Sequence, residues 1–164
     1  MKIKYIVITA VAILGIMAVR HLLQNDEKKV RRQFESLSEW VSKEPEESLV
    51  TTSYKIQHIT TLFADPCAFK ADIISFTGNY TPDEISGFAG RSRFYFSDLS
   101  LKFYDLDITF LEQGMAQVTV TTKLIGKTKG GEYVDATHEL KTVLTKTEGE
   151  WLFSHIEIVE VLQK

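Results

Sequence analysis

The stretch MAQVTVTTKLIGKTKGGEYVDATHELKTVLTK, residues 115–146, decides the fold. Ala116, Val118, Val120 and Leu124 fall on even positions, while Gln117, Thr119, Thr121 and Lys123 fall on odd ones. After a break at Lys127–Gly131 the pattern resumes. Val134, Ala136, Leu140 and Leu144 are even, and Glu139, Lys141 and Thr145 are odd. A period of two with one wet face is the pattern of antiparallel strands whose other face is buried, here joined by a turn at Gly130-Gly131. His138 falls on the apolar side of this pattern.

Working outward, Leu99–Leu111 and Trp151–Leu162 flank this pair, separated from it by Glu112-Gln113-Gly114 and Glu148-Gly149-Glu150. The four strands expected are therefore Leu99–Leu111, Met115–Ile125, Glu132–Lys146 and Trp151–Leu162. Both outer strands change register. Leu101 and Phe103 are odd, but Leu106, Ile108 and Phe110 are even; Trp151 and Phe153 are odd, but Ile156 and Ile158 are even. Bulges at Tyr104-Asp105 and Ser154-His155 account for both slips and bend the strands. The expectation is one strongly curved antiparallel sheet.

The preceding half reads as helical. Gln24-Asn25-Asp26 gives a polar break with a capping residue. Val30, Phe34, Leu37 and Val41 then recur at helical spacing, with Trp40 beside them, up to Glu44-Pro45. A second helix runs from Pro45 or Ser48 to Phe63. It carries Tyr54 and His58 four residues apart and stops at Ala64-Asp65-Pro66. Ala71–Phe76 reads as a short strand. Thr81-Pro82-Asp83-Glu84 opens a third helix with a capping box and a proline in its first turn. Gly87 and Gly90 weaken that helix but allow close approach to the sheet.

The amino-terminal 24 residues are of another kind. Lys2 and Lys4 precede Tyr5–Leu23, which is apolar apart from Thr9, Gly15, Arg20 and His21. As a helix this stretch spans about 28 Å, close to the hydrocarbon thickness of a bilayer. An uncleaved membrane anchor is the expectation, with a cleaved signal peptide or a buried helix as alternatives. The sequence divides into 1–24 as anchor and 25–164 as one domain. Lys2 and Lys4 favour a cytoplasmic start, whereas Arg20, Lys28, Lys29, Arg31 and Arg32 argue the other way. A single-pass protein with its carboxy-terminal domain outside the cytoplasm is the reading adopted. The basic run is either a contact for anionic headgroups or a solvated helix face.

The 164 residues carry a formal charge of −3, and without the first 24 residues 16 basic face 22 acidic ones. That balance gives no electrostatic case for binding nucleic acid. A single cysteine, Cys67, closes no intramolecular disulfide and reads as a small buried thiol. No spacing of His, Asp, Glu or Cys matches a metal site, and no Gly-rich phosphate loop or Gly-x-Ser-x-Gly elbow occurs. No cofactor is expected. Asp105 and Asp107 share a face and read as a solvated rim.

Leu62-Phe63-Ala64-Asp65, Ile85-Ser86-Gly87-Phe88, Gln117-Val118-Thr119-Val120-Thr121 and Trp151-Leu152-Phe153, in this order of elements, resemble the nuclear transport factor 2-like superfamily. That group includes ketosteroid isomerases and polyketide cyclases. The likeness covers about Asp26 to Leu162 and rests more on element order than on any motif. It implies an α+β cone, cystatin-like, in which three helices pack on a curved antiparallel sheet that curls around a pocket. It also implies that many members bind ligands or partners without catalysis, and that many dimerise through the sheet.

The candidate pocket residues are then Asp65, His138, Tyr54, His58 and Tyr104, with no catalytic residue assigned. Two functions follow. The first is a membrane-anchored, non-catalytic domain that binds a small apolar ligand or a protein partner, as a homodimer. The second is an isomerase- or cyclase-like enzyme using a pocket carboxylate, with Asp65 nearest by position and His138 beside it. The resemblance supplies no matching Tyr and Asp pair to hold an oxyanion, which counts against the second. For His138 a satisfied structural histidine is the plain alternative.

Overall fold

The computed structural model describes residues 2–71, 76–111 and 114–161. Helix α1 spans Lys2–Val41, α2 Leu49–Ile59 with a 3-10 turn at Thr60–Leu62, and α3 Pro82–Tyr95. The strands are β1 Phe63–Ala71, β2 Phe76–Tyr80, β3 Phe96–Leu111, β4 Met115–Thr128, β5 Tyr133–Thr147 and β6 Glu150–Val161. They form one sheet in the order β2-β1-β6-β5-β4-β3. The helices pack on the face carrying the apolar positions of β4 and β5, where Ala116, Val118, Val120 and Leu144 are fully buried.

The four expected strands are present, with β3 and β4 each three residues longer at the end where Phe96 pairs with Thr128. Both register slips are bulges. Tyr104 pairs with Thr121 and Asp107 with Thr119, so Asp105-Leu106 oppose a single residue, and Asp105 takes a φ of 54°. On β6, Phe153 pairs with Leu144 and His155 with Val143; the extra residue, Ser154, donates to the Val143 carbonyl at 3.0 Å. A third slip lies between Glu139 and Leu140.

The sheet curls tightly. Phe34 of α1 lies edge-on to Phe103 of β3 at 5.2 Å and to Phe153 of β6 at 5.0 Å. These strands are three intervals apart in the sheet, about 14 Å if it were flat. One ring can reach both only because the strands bend around it.

Four expectations need correction. The sheet is not wholly antiparallel, because β1 runs parallel to β6. Ala64-Asp65-Pro66 does not end a helix but lies inside β1, where the register with β6 shifts between Phe63 and Ala68. The short strand expected at Ala71–Phe76 is instead the end of β1 and the start of β2; residues 72–75 lie outside the described residues. The break at Gln24-Asn25-Asp26 is absent, and α1 passes through it without interruption. Asp26 caps nothing there. Its carboxylate accepts from Lys146 Nζ at 2.8 and 3.0 Å and from Trp151 Nε1 at 3.1 Å, across the start of β6.

Two more features fix the helices. The capping box of α3 forms as expected, with Thr81 Oγ1 accepting from the Glu84 N–H and Glu84 accepting from the Thr81 N–H. Gly90 permits close approach, but to α2 and not to the sheet: a Cβ there would sit 3.3 Å from Ile56 Cδ1. Among the described residues no helix is long and apolar enough to cross a membrane.

Candidate functional site

The curled sheet and the helices on it leave an apolar cavity with two lobes. One lobe, of about 370 Å³, lies between Leu37 of α1, the paired strands β1 and β2, and the centre of β3 to β6. The other, of about 310 Å³, extends beneath α3 towards Phe88 and Phe96. Leu37, Phe69, Phe76, Leu124 and Ile156 line both lobes, so the two adjoin along a shared wall. Each is large enough for a small organic molecule.

Aromatic rings make much of the wall. Phe76 stacks on Tyr80 at 4.9 Å and 3°, and Phe88 meets both rings edge-on at 5.5 and 5.2 Å. Phe69 stands edge-on to Phe76 and Tyr80 in turn. Strand alternation explains why these side chains converge. Phe69 and Phe76 belong to the paired strands β1 and β2, and Phe88 projects from the face of α3 that covers them.

His138 is the candidate residue that reaches this cavity. It lines the first lobe from β5, opposite Thr122 of β4, which also lines it. Its Nδ1 is buried and has no hydrogen-bond partner among the described residues. Lys70 reaches the same lobe and pairs with Glu157 at 2.7 Å.

The other four candidates lie elsewhere. Asp65 is exposed on β1, followed by a cis peptide to Pro66, and lines neither lobe. The carboxylate on which an acid–base reading leaned therefore does not converge with His138. Tyr54 and His58 do share a face of α2. Their rings lie 3.9 Å apart, Trp40 closes on His58 at 5.2 Å, and His58 Nδ1 is 2.8 Å from the Tyr54 carbonyl oxygen. That cluster sits on the outer side of α2, with Tyr54 57% exposed. Tyr104, at the β3 bulge, lines a separate shallow groove with Arg31, Glu35 and Lys102.

The strongest electrostatic centre is one that sequence patterns did not mark. Arg93, in the last turn of α3, is fully buried. Its Nη1 donates to the carbonyls of Trp40, Val41 and Ser42 at 2.8, 2.9 and 2.6 Å, and its Nη2 pairs with Glu47. A cation at the carboxy end of α1 satisfies carbonyls that have no partner within the helix. Burial pushes the Glu47 carboxyl up, but hydrogen bonds from Lys55, Thr52 and Arg93 outweigh it and bring it down to about 2. This network holds α1, α2 and α3 together and lies outside both lobes, so its role is structural. Cys67 is fully buried, and burial pushes its thiol up to about 12. Among the described residues no group of His, Cys, Asp and Glu could hold a metal ion.

No family model matches the chain, and no curated protein sequence matches it. Solved structures do. A scytalone dehydratase-like protein from Novosphingobium aromaticivorans is 15% identical with a TM-score of 0.66, over 85% of this chain and 86% of that one. A type 2 hexachlorocyclohexane dehydrochlorinase, LinA, is 10% identical with a TM-score of 0.65, over 85% and 90%. A cystatin-like protein from Caulobacter vibrioides is 13% identical with a TM-score of 0.62, over 84% and 89%. At these identities the likeness is one of fold. The chain has a cystatin-like α+β fold, helices laid on a six-stranded sheet.

Proposed function

We propose that this protein is a membrane-tethered binding domain that holds a small apolar ligand in the two-lobed cavity without transforming it. The observation that carries the reading is the wall itself: aromatic and aliphatic side chains from α1, α3 and all the strands, with Asp65 outside it. The neighbours of this fold include a dehydrochlorinase, so the fold admits chemistry. An enzyme here would need His138 to work with a partner group other than Asp65.

The tether rests on α1. Ile13, Leu14, Ile16, Met17, Val19, Leu22 and Leu23 are all 46–65% exposed. At 100° per residue they point to every side of the helix, which suits insertion among lipids better than a one-sided groove, although no helix among the described residues is long and apolar enough to cross a membrane. A carboxy-terminal domain outside the cytoplasm and a homodimer through the outer sheet face belong to the same proposal.

Cavity binding is tested by titrating the full chain with indane, a compact apolar probe, against the Leu124→Trp variant, which puts an indole on the wall the two lobes share. Saturable binding by the wild type, weakened at least tenfold in a variant with unchanged circular dichroism, is the expected result. No binding, or equal binding by both proteins, overturns the reading. Retention in membranes after alkaline carbonate extraction supports the tether; release into the supernatant overturns it. Light scattering that gives only monomers would remove the dimer.

A further inference from the structure

Three buried side-chain polar atoms lack a hydrogen-bond partner among the described residues: Gln33 Oε1, Arg93 Nε and His138 Nδ1. Buried polar atoms are nearly always paired, so each such atom calls for an explanation. Arg93 already makes four other hydrogen bonds, and Gln33 lines neither lobe. His138 alone of the three belongs to a cavity wall.

We infer that the cavity is built for an apolar molecule carrying one neutral hydroxyl, with that hydroxyl hydrogen-bonded to His138 Nδ1. The inference rests on the ligand-binding reading above and narrows the ligand to a class. Around His138 the wall is carbon: Leu101, Phe103, Leu140 and Ile158 stand beside it, with Thr122 directly across the β4–β5 ladder. The Thr122 hydroxyl is turned away, donating to the Lys102 carbonyl at 3.4 Å. A ligand entering this lobe meets hydrocarbon, the His138 ring and, on the same wall, Lys70 in its pair with Glu157.

The chemistry of that position selects the head group. A neutral imidazole has one nitrogen that donates and one that accepts. A hydroxyl does both, so it satisfies Nδ1 in either tautomer. A carbonyl serves only one of them. A carboxylate would leave water for a wall whose ammonium group, Lys70, is already paired with Glu157, a transfer that costs more than a hydroxyl's. The edge-on rings of Phe69 and Phe76 offer a planar body aromatic faces and edges to pack on, which favours an aromatic alcohol.

The test compares indane, 5-indanol and indane-5-carboxylate on the full chain by calorimetry, with the 15N resonances of histidine as a second readout. Wild type is expected to bind 5-indanol about tenfold tighter than indane, the scale of one buried hydrogen bond. The His138 nitrogen signal should move with 5-indanol and not with indane, and the carboxylate should bind most weakly. In His138→Phe the preference for 5-indanol over indane should vanish while indane still binds. In His138→Asn, which keeps a donor and an acceptor, part of it should return. Should His138→Phe fail to fold, the wild-type comparison and His138→Asn decide. Equal binding of indane and 5-indanol by wild type, a preference that survives in His138→Phe, or a carboxylate that binds as well as the alcohol overturns the inference and leaves the container reading standing. Failure of all three probes to bind overturns both.

Discussion

The rings of Phe110 on β3 and Trp151 on β6 lie 5.6 Å apart, although β5 and β4 run between their strands. In a flat sheet the two strands would be about 14 Å apart. At this end the sheet has folded far enough for its third and sixth strands to touch across the interior. The bulges at Asp105-Leu106 and Ser154 are where the two strands turn.

Phe34 is the helix's contribution to the same closure, packed edge-on against Phe103 and Phe153 and 2% exposed. Phe34→Ala should lower unfolding free energy by about 3–5 kcal/mol in urea titrations, and Phe34→Leu by clearly less, because Leu keeps most of the volume.

The Glu47 network makes stability depend on acid. Its carboxyl is held at about 2 in the fold against 4.5 in an unfolded chain. A depressed carboxyl contributes stability that is fully present above the unfolded value and is lost as pH falls through the folded one. The window is therefore pH 4.5 down to 2, and the loss about 3 kcal/mol. Denaturation curves taken across that window should show it, and Glu47→Gln should flatten this component while lowering stability at pH 7. Arg93→Met should be worse than either, by about 3–5 kcal/mol, since Glu47 and three carbonyls lose their buried partner.

Two glycines should respond in opposite directions to alanine. At Gly87, in α3, a Cβ would meet nothing within 4 Å, so Gly87→Ala should stabilise by about 0.5–1 kcal/mol. At Gly126 a Cβ would lie 2.9 Å from the Asp98 carbonyl oxygen on the neighbouring strand. Backbone cannot yield as a side chain does, and Gly126→Ala should cost about 1–3 kcal/mol. Thermal melts of the two variants on either side of wild type would confirm the pair.

Cys67 should ignore thiol reagents. It is fully buried with its thiol pushed up to about 12, so at pH 8 almost no thiolate forms in the fold. Labelling by a disulfide reagent should be slow in native protein and immediate in urea; equal rates would show that the site is open.

What could be read in the chain was whatever one segment decides for itself. Alternation in 115–146 marks two strands, the parity changes after Phe103 and Phe153 mark both bulges, and Thr81 with Glu84 marks a helix start. Distant partners were hidden. Asp26 looks like a helix cap until Lys146, 120 residues on, and Trp151 take its carboxylate. Asp65-Pro66 looks like a stop until β6 pairs alongside. Arg93 looks like any basic residue near a helix end, and only the packing of α1 against α3 shows what it holds. Of the candidate pocket residues, His138 was legible because its face follows from parity. Spacing puts Tyr54 and His58 on one face of α2, as found, but does not say which way that face turns, and nothing in the residues around Tyr104 marks the groove it lines.

The uninterrupted run of α1 carries a mechanical consequence. One helix of 40 residues joins the exposed apolar segment at Ile13–Leu23 to Leu37, which lines both lobes of the cavity. With no hinge in between, the arm and the cavity wall belong to one rod, and that rod is clamped on the way: Asp26 is bonded to Lys146 and Trp151, and Val30 and Phe34 are buried, so a displacement of the arm is taken up there before it reaches Leu37.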